Sequence, residues 1–374
     1  MSFQTKILVL VPSPKSMGGV AQYHQYLRSY LDPNVKYFIR GVRRQHSSFS
    51  RAIFPLVYAV DLLRFLLLMV FGNYSLVQFN TSFGKTGIIR DILFIRIVQF
   101  YKKQYVVFFH GIDQEVVKWV ENKIWQFFKK TFLKANAIWV LSNMMKGRIK
   151  EWGYVHNIIV ETTTVDAALL NGFHYEENIY KYKNYKSFEI LFLSRIEKMK
   201  GIYEAIDAFR LINKKYPITL FRIYGDGSER QKVLDYIAKD LNRTIYYGGY
   251  VNGMSKVKAY SQGHLYLFPS YSEGMPISLL EAMAFGLPVI TSSVGGIPDF
   301  FVQSHMGYIT LDITPVMLSD LMESLLINPQ KCEEISRFNY NYAKDHFYAH
   351  VVAQRVMRQY KNLIYAQSEP LDSY

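Results

Sequence analysis

Cysteine is nearly absent: Cys332 is the single one among 374 residues. One thiol excludes an intramolecular disulfide and a multi-cysteine metal site, and it fits a reducing compartment. Acidic residues are scarce in the first half. Residues 1–180 carry 22 Lys and Arg against 11 Asp and Glu, whereas residues 181–374 carry 22 against 19. A surplus of +11 confined to one half suggests an acidic partner: lipid headgroups, phosphorylated substrates or nucleic acid. A generically basic surface is the plainer alternative. The N-terminus, MSFQTKILVLVPSP, holds only a five-residue apolar run, Ile7 to Val11, ended by Pro12. That is too short for a signal-peptide core and reads as a buried first strand. No G-x-G-x-x-G and no Walker loop occurs, so a standard dinucleotide or nucleoside-triphosphate site is not supported. Solenoid repeats and low-complexity tracts are missing as well.

What is present is apolar material. Half of the residues are hydrophobic, enough for a sizeable core. The length suits roughly two domains of about 150 residues each. Ala52 to Phe71 (AIFPLVYAVDLLRFLLLMVF) is nearly as long as a membrane span. Asp61 and Arg64 interrupt it three residues apart, close enough to pair on one helix face. The basic run before it, Arg40 to Arg51, suits a headgroup surface. The segment therefore reads as a helix packed on a sheet, a helix lying on a membrane, or a spanning helix.

Short apolar runs alternate with helical patterns. Predicted strands in the first half are 7–11, 37–39, 76–79, 105–109, 137–141 and 158–161, with helices at 21–31, 90–103 and 143–152. A polar break, His174 to Ser187 (HYEENIYKYKNYKS), resembles an interdomain linker. Alternation then restarts, with strands at 189–193, 219–224, 245–247, 265–268 and 288–291. Helices are expected at 201–214, 229–240, 254–261 and 276–285, and a long final helix at 339–364. Such alternation predicts an α/β fold, two doubly wound Rossmann-like domains with a cleft between them. The expected boundaries are 1–178, 179–345 and a C-terminal helix, 346–374.

Four stretches could carry chemistry. Gly18 and Gly19 follow the first strand and precede a helix, whose N-terminus is a natural phosphate site; a plain strand–helix turn fits equally. Arg195 and Lys200, in FLSRIEKMKG, follow a strand and suit a diphosphate. A solvated charge cluster with Glu197 and Lys198 is the alternative. Glu273 lies in a loop and Glu281 in the second turn of the next helix, where Pro276 suits the first turn. A carboxylate there can accept from vicinal sugar or ribose hydroxyls. Alternatives are a charge at a helix start, a solvated helix charge or a glycosidase pair; a metal reading lacks nearby His or Asp at ligand spacing. His110, at a strand end before Gly111, can point into a cleft or be structural. Asn80 and Ser82 sit similarly, one strand earlier, and could touch an acceptor or shape the turn.

MGGV, FFHG, FLSRIEKMKG, YGDGSER and EGMPISLLEAMAFGLPVITSSVGGIPD occur in this order along the chain. Together they resemble the family-four glycosyltransferases, retaining nucleotide-sugar enzymes of the GT-B fold, over essentially the whole length. The resemblance implies that Gly18 and Gly19 approach the donor and that Arg195 and Lys200 bind its diphosphate. Glu273, with Gly274, Met275 and Pro276, would bind the donor sugar, Glu281 the ribose, and Tyr250 and Val251 the base. His110 would contact the sugar and stabilise the reaction centre. Ser194 stands where the family usually has Gly. The resemblance further implies no metal or other cofactor, and a C-terminal helix that returns to the first domain; phosphate-site logic accounts for the charge better than nucleic acid does. The basic first half, with the apolar, basic-flanked Arg40–Phe71 region, suggests a lipid-linked or glycan acceptor in polysaccharide or lipopolysaccharide assembly. It would place the chain in the cytoplasm, peripheral on an anionic membrane surface. A nucleotide-sugar hydrolase or epimerase, or a silent sugar-nucleotide-binding subunit, are the competing readings.

Overall fold

A computed structural model describes residues 5–14, 16, 18–41, 49–183, 185–240 and 243–365, with backbone alone for 49–55. The chain forms two units, Met1–Thr163 with Ala349–Tyr374, and Thr164–Tyr348.

The first unit runs β1 (Lys6–Val11), α1 (Gly19–Leu27), β2 (Val35–Ile39), α2 (Phe49–Phe71), β3 (Tyr74–Thr81), α3 (Lys85–Phe100) and β4 (Gln104–Phe109). It continues through α4 (Gln114–Trp119), a π turn, α5 (Trp125–Thr131), β5 (Ala137–Val140), α6 (Asn143–Glu151) and β6 (Asn157–Val160). The strands pair in parallel in the order β2-β1-β3-β4-β5-β6. Their sequences are nearly unbroken apolar runs, because a parallel sheet is covered on both faces. In β4, Tyr105 to Phe109 are all buried. The order reverses between β1 and β3, and ligands of open α/β sheets bind at the carboxyl ends of such a switch point. Gly18 and Asn80 follow or end those two strands.

The second unit contains α7 (Tyr175–Asn178), β7 (Phe188–Leu193), α8 (Ile202–Lys215), β8 (Thr219–Tyr224), α9 (Arg230–Ile237), β9 (Ile245–Gly249) and α10 (Gly253–Gln262). Then come β10 (Leu265–Phe268), α11 (Ile277–Ala284), β11 (Val289–Ser292), β12 (Gly307–Thr310), α12 (Pro315–Leu326) and α13 (Pro329–His346). The order β12-β11-β10-β7-β8-β9 is again parallel and reverses between β7 and β10. The last helix, α14 (Ala349–Tyr365), belongs to the first unit.

Three expectations about organisation change. The boundary falls at 163/164 rather than 178/179. The expected linker is built into the second unit: Tyr175 stacks on Tyr340 at 4.0 Å, and the buried Tyr182 hydroxyl donates to His264 O at 3.1 Å. Asn184 of that stretch lies outside the described residues. The single final helix is two helices, α13 and α14. The break at Phe347 presents its carbonyl to the Val165 N–H at 2.9 Å and the Thr164 hydroxyl at 3.0 Å. The apolar segment of the first unit is helical as expected, and Arg64 pairs with Asp61 at 3.3 Å. Residues 42–48 of the basic run lie outside the described residues.

Candidate active site

In the second unit, the loops after β7 and β10 meet at the switch point. Gly201 makes this contact possible. Its φ is +71°, and a Cβ there would lie 1.9 Å from Pro269 O. With the loops pressed together, Lys200 Nζ reaches Glu273 Oε1 at 2.6 Å. Both side chains are about nine-tenths buried, 11% and 9% exposed, so the charge-assisted bond is strong. Ser270 Oγ donates to the same oxygen at 2.7 Å. Among the described residues, Glu273 Oε2 accepts no hydrogen bond. Glu273 is therefore neither a solvated charge nor a free helix-start charge.

The Glu273 backbone is fixed from below by Val294-Gly295-Gly296. Gly295 has φ +60°, and a Cβ would stand 2.3 Å from Glu273 O and 2.6 Å from Gly274 O. The Gly296 N–H donates to Gly274 O at 2.7 Å. These glycines thus let the loop of Gly274, Met275 and Pro276 lie directly on the next crossover, and Pro276 takes the N-cap position of α11.

Arg195 is placed differently. Its side chain is 63% exposed and pairs with Glu197 at 2.8 Å, the solvated cluster weighed above. Tyr250, 57% exposed, and Val251 follow β9 at the carboxyl edge of the same sheet.

Glu281 is fully buried rather than solvated. Lys256 Nζ donates to it at 2.6 Å and the Tyr260 hydroxyl at 2.9 Å, both from α10. Burial raises the Glu281 pKa above the ordinary carboxylate value, with Lys256 and Tyr260 opposing. Sequence reasoning missed Lys256, Tyr260 and Ser270. No spacing rule links α10 to α11, and Ser270 looked like a loop residue.

The first unit holds the other candidates. The Gly18 φ is −129°, and a Cβ at Gly18 or Gly19 meets nothing within 4 Å. Neither the backbone nor the packing requires glycine here, and α1 begins without a side-chain cap. His110 Nε2 lies 2.9 Å from Asn80 Oδ1. The Asn80 amide is fixed by its donation to Leu10 O at 3.0 Å and by Gln78 Nε2, which donates to Oδ1 at 2.9 Å. Gln78 Oε1 in turn accepts from the Tyr360 hydroxyl of α14. Since Asn80 Oδ1 can only accept, Nε2 of His110 carries the proton and Nδ1 is left as an acceptor. Burial, then the neighbouring His24, holds the His110 pKa well below its usual value, so the ring is neutral. Asn80 is 3% exposed with its amide engaged internally, and Ser82 is exposed just beyond β3.

Two parallel doubly wound units with these loops define the GT-B glycosyltransferase architecture. A crystal structure of Anabaena Alr3699/HepE with UDP-glucose matches at a TM-score of 0.70, covering 96% of this chain and 100% of that one at 15% identity. Residues 176–342 match the model of glycosyl transferases group 1. The GtfA subunit of the Streptococcus agalactiae UDP-N-acetylglucosamine–peptide N-acetylglucosaminyltransferase is 38% identical over 132 residues, 35% of this chain. CapM, a capsular polysaccharide biosynthesis glycosyltransferase of Staphylococcus aureus, is 26% identical over 191 residues, half of this chain. The matches span 26% and 50% of those relatives' lengths.

Proposed function

We propose that the chain is a retaining glycosyltransferase that needs no metal. It would move a sugar from a UDP- or GDP-sugar to a hydroxyl of a lipid-linked or saccharide acceptor in cell-surface polysaccharide or lipopolysaccharide assembly. The Lys200–Glu273 pair at the β7/β10 switch point supports this reading most. It places a cation and a carboxylate where a diphosphate and its sugar would lie side by side.

Arg195 and Lys200 neutralise the charge that grows on the departing nucleoside diphosphate. Glu273 accepts from donor-sugar hydroxyls, beside the backbone of Gly274 and Met275 and next to Pro276. Glu281 is assigned to the ribose, Tyr250 and Val251 to the base, and Gly18 and Gly19 to close approach of the donor. His110, neutral with Nδ1 open, accepts a hydrogen bond from a hydroxyl of the sugar. The acceptor attacks from the face the nucleotide leaves, and the leaving phosphate takes the acceptor proton. The UDP-sugar in the name of the streptococcal relative and the UDP-glucose bound to the Anabaena protein favour a uridine donor.

A panel of UDP-, GDP- and ADP-sugars in EDTA, scored by thermal shift and nucleotide release, tests this. Acceptor-dependent release is expected. Release without acceptor would indicate a hydrolase, stabilisation without product a binding subunit, and a trapped glycosyl–enzyme adduct would sink the same-face mechanism.

A further inference from the structure

The first unit turns an apolar helix face outward. In α2, Asp61, Phe65 and Met69 are buried and hold the helix to the unit. Asp61 accepts from the Gly41 N–H at 2.8 Å, and the Phe65 ring packs on Phe38 at 5.6 Å and Phe94 at 4.9 Å. The opposite face carries Leu56, Leu63, Leu67 and Phe71, between 49% and 79% exposed. The Phe65–Phe94 contact sets α3 alongside, adding Leu93 at 51% and Phe100 at 79%. A surface helix is normally polar on this side, and a contiguous apolar face marks a partner.

The charge around this face identifies the partner. Residues 33–112 contain eleven Lys and Arg, of which Arg40 is buried against Asp91, but only two acidic residues, Asp61 and Asp91. Those two are 2% and 0% exposed, so no carboxylate of this stretch faces solvent. Arg64 is half exposed on α2. Arg96 lines a groove with Leu66 and Phe100 between the helices, so apolar wall and cation are neighbours. A second copy of the chain would set two cationic surfaces against each other with no carboxylate to answer them. An anionic bilayer offers both the apolar phase and the counter-charge. Spanning does not fit: among the described residues no helix is long and apolar enough to cross a membrane. The inner side of α2 is also already occupied by the protein.

We propose that the α2–α3 face docks on an anionic bilayer. α2 lies in the plane of the headgroup boundary, with Leu63, Leu67 and Phe71 below it and the basic residues against lipid phosphates. The inference stands apart from the sugar-transfer reading, because it concerns vesicles without donor or acceptor.

Flotation of the full chain with phosphatidylcholine vesicles, with and without about a third phosphatidylglycerol, tests it. Binding is expected only with the anionic lipid, and it weakens as salt rises from about 0.05 to about 0.5 M. Leu63→Glu with Leu67→Glu should lower the bound fraction about tenfold, with an unchanged circular dichroism spectrum. A second readout survives poor folding of that double variant. Leu67→Cys takes an environment-sensitive dye, while Cys332 is buried, and its emission should shift blue on anionic vesicles. Equal binding by the double variant, or no shift, overturns the proposal. So does a vesicle-indifferent dimer that the double variant dissociates, which would assign the face to a second copy.

Discussion

Lys200 Nζ stands 2.6 Å from Glu273 Oε1, joining residues 73 positions apart at the carboxyl ends of neighbouring strands. Each charge is buried, so removing either leaves the other unanswered. Lys200→Ala is expected to cost about 3 kcal/mol in urea unfolding and to weaken nucleotide binding about tenfold. Glu273→Ala should leave UDP affinity by titration calorimetry nearly intact while kcat/KM for the sugar donor falls about 100-fold or more. Unchanged turnover in Glu273→Ala would reject the sugar assignment.

Tyr360 acts on His110 through two side chains. Its ring stacks on Trp139 at 5.3 Å, so Tyr360→Phe keeps the packing and removes only the hydroxyl that donates to Gln78. Gln78 then loses its grip on Asn80, and Asn80 on His110. We expect kcat to fall roughly threefold to tenfold at little change in donor KM, with a stability loss of about 1 kcal/mol. A purely structural role predicts the stability loss with kcat unchanged.

The strands were legible because parallel strands are apolar along their length; LYLF in β10 and VVFF in β4 needed no partner to be recognised. The loops carrying Lys200 and Glu273 were legible as candidates because each follows a parallel strand at its carboxyl end. Remote partners were not. Nothing local to Phe347 marks a helix break, since the apolar period continues through it. The break is capped by Thr164, 183 residues earlier. Likewise, the helical position of Glu281 gave no sign of Lys256, 25 residues earlier on another helix.

That buried pair makes its own prediction. Glu281→Gln leaves the largely buried Lys256 ammonium facing a neutral amide, and should cost about 3 kcal/mol by chemical denaturation. Glu281→Leu combined with Lys256→Met should recover most of this, because an apolar pair of similar volume needs no desolvation. Nucleotide affinity separates the two roles open to Glu281. If it holds the ribose, the double variant regains stability but still binds UDP at least tenfold more weakly than the parent. If its role is only to anchor α10 to α11, affinity returns with stability.

Acid should unfold the protein through its buried imidazoles. Burial, then the neighbouring Lys181 cation, pushes the His264 pKa down to about 3. Its Nδ1 accepts the Glu189 N–H at 3.1 Å, so protonation there breaks that bond. His24, buried in the first unit, is pushed down to about 4, chiefly by burial. Both folded values lie below the unfolded value of about 6.5. Their contribution to stability is therefore whole above pH 6.5 and is lost as pH falls toward the folded values. Unfolding free energy should drop between about pH 6.5 and 4, by up to about 1.4 kcal/mol per pH unit for each histidine. His264→Asn keeps a short acceptor for the Glu189 N–H without titrating. It should be less stable at neutral pH, yet its stability should decline with acid by about one proton less than the parent. Urea denaturation at several pH values measures both slopes, and identical slopes would clear His264 of the effect.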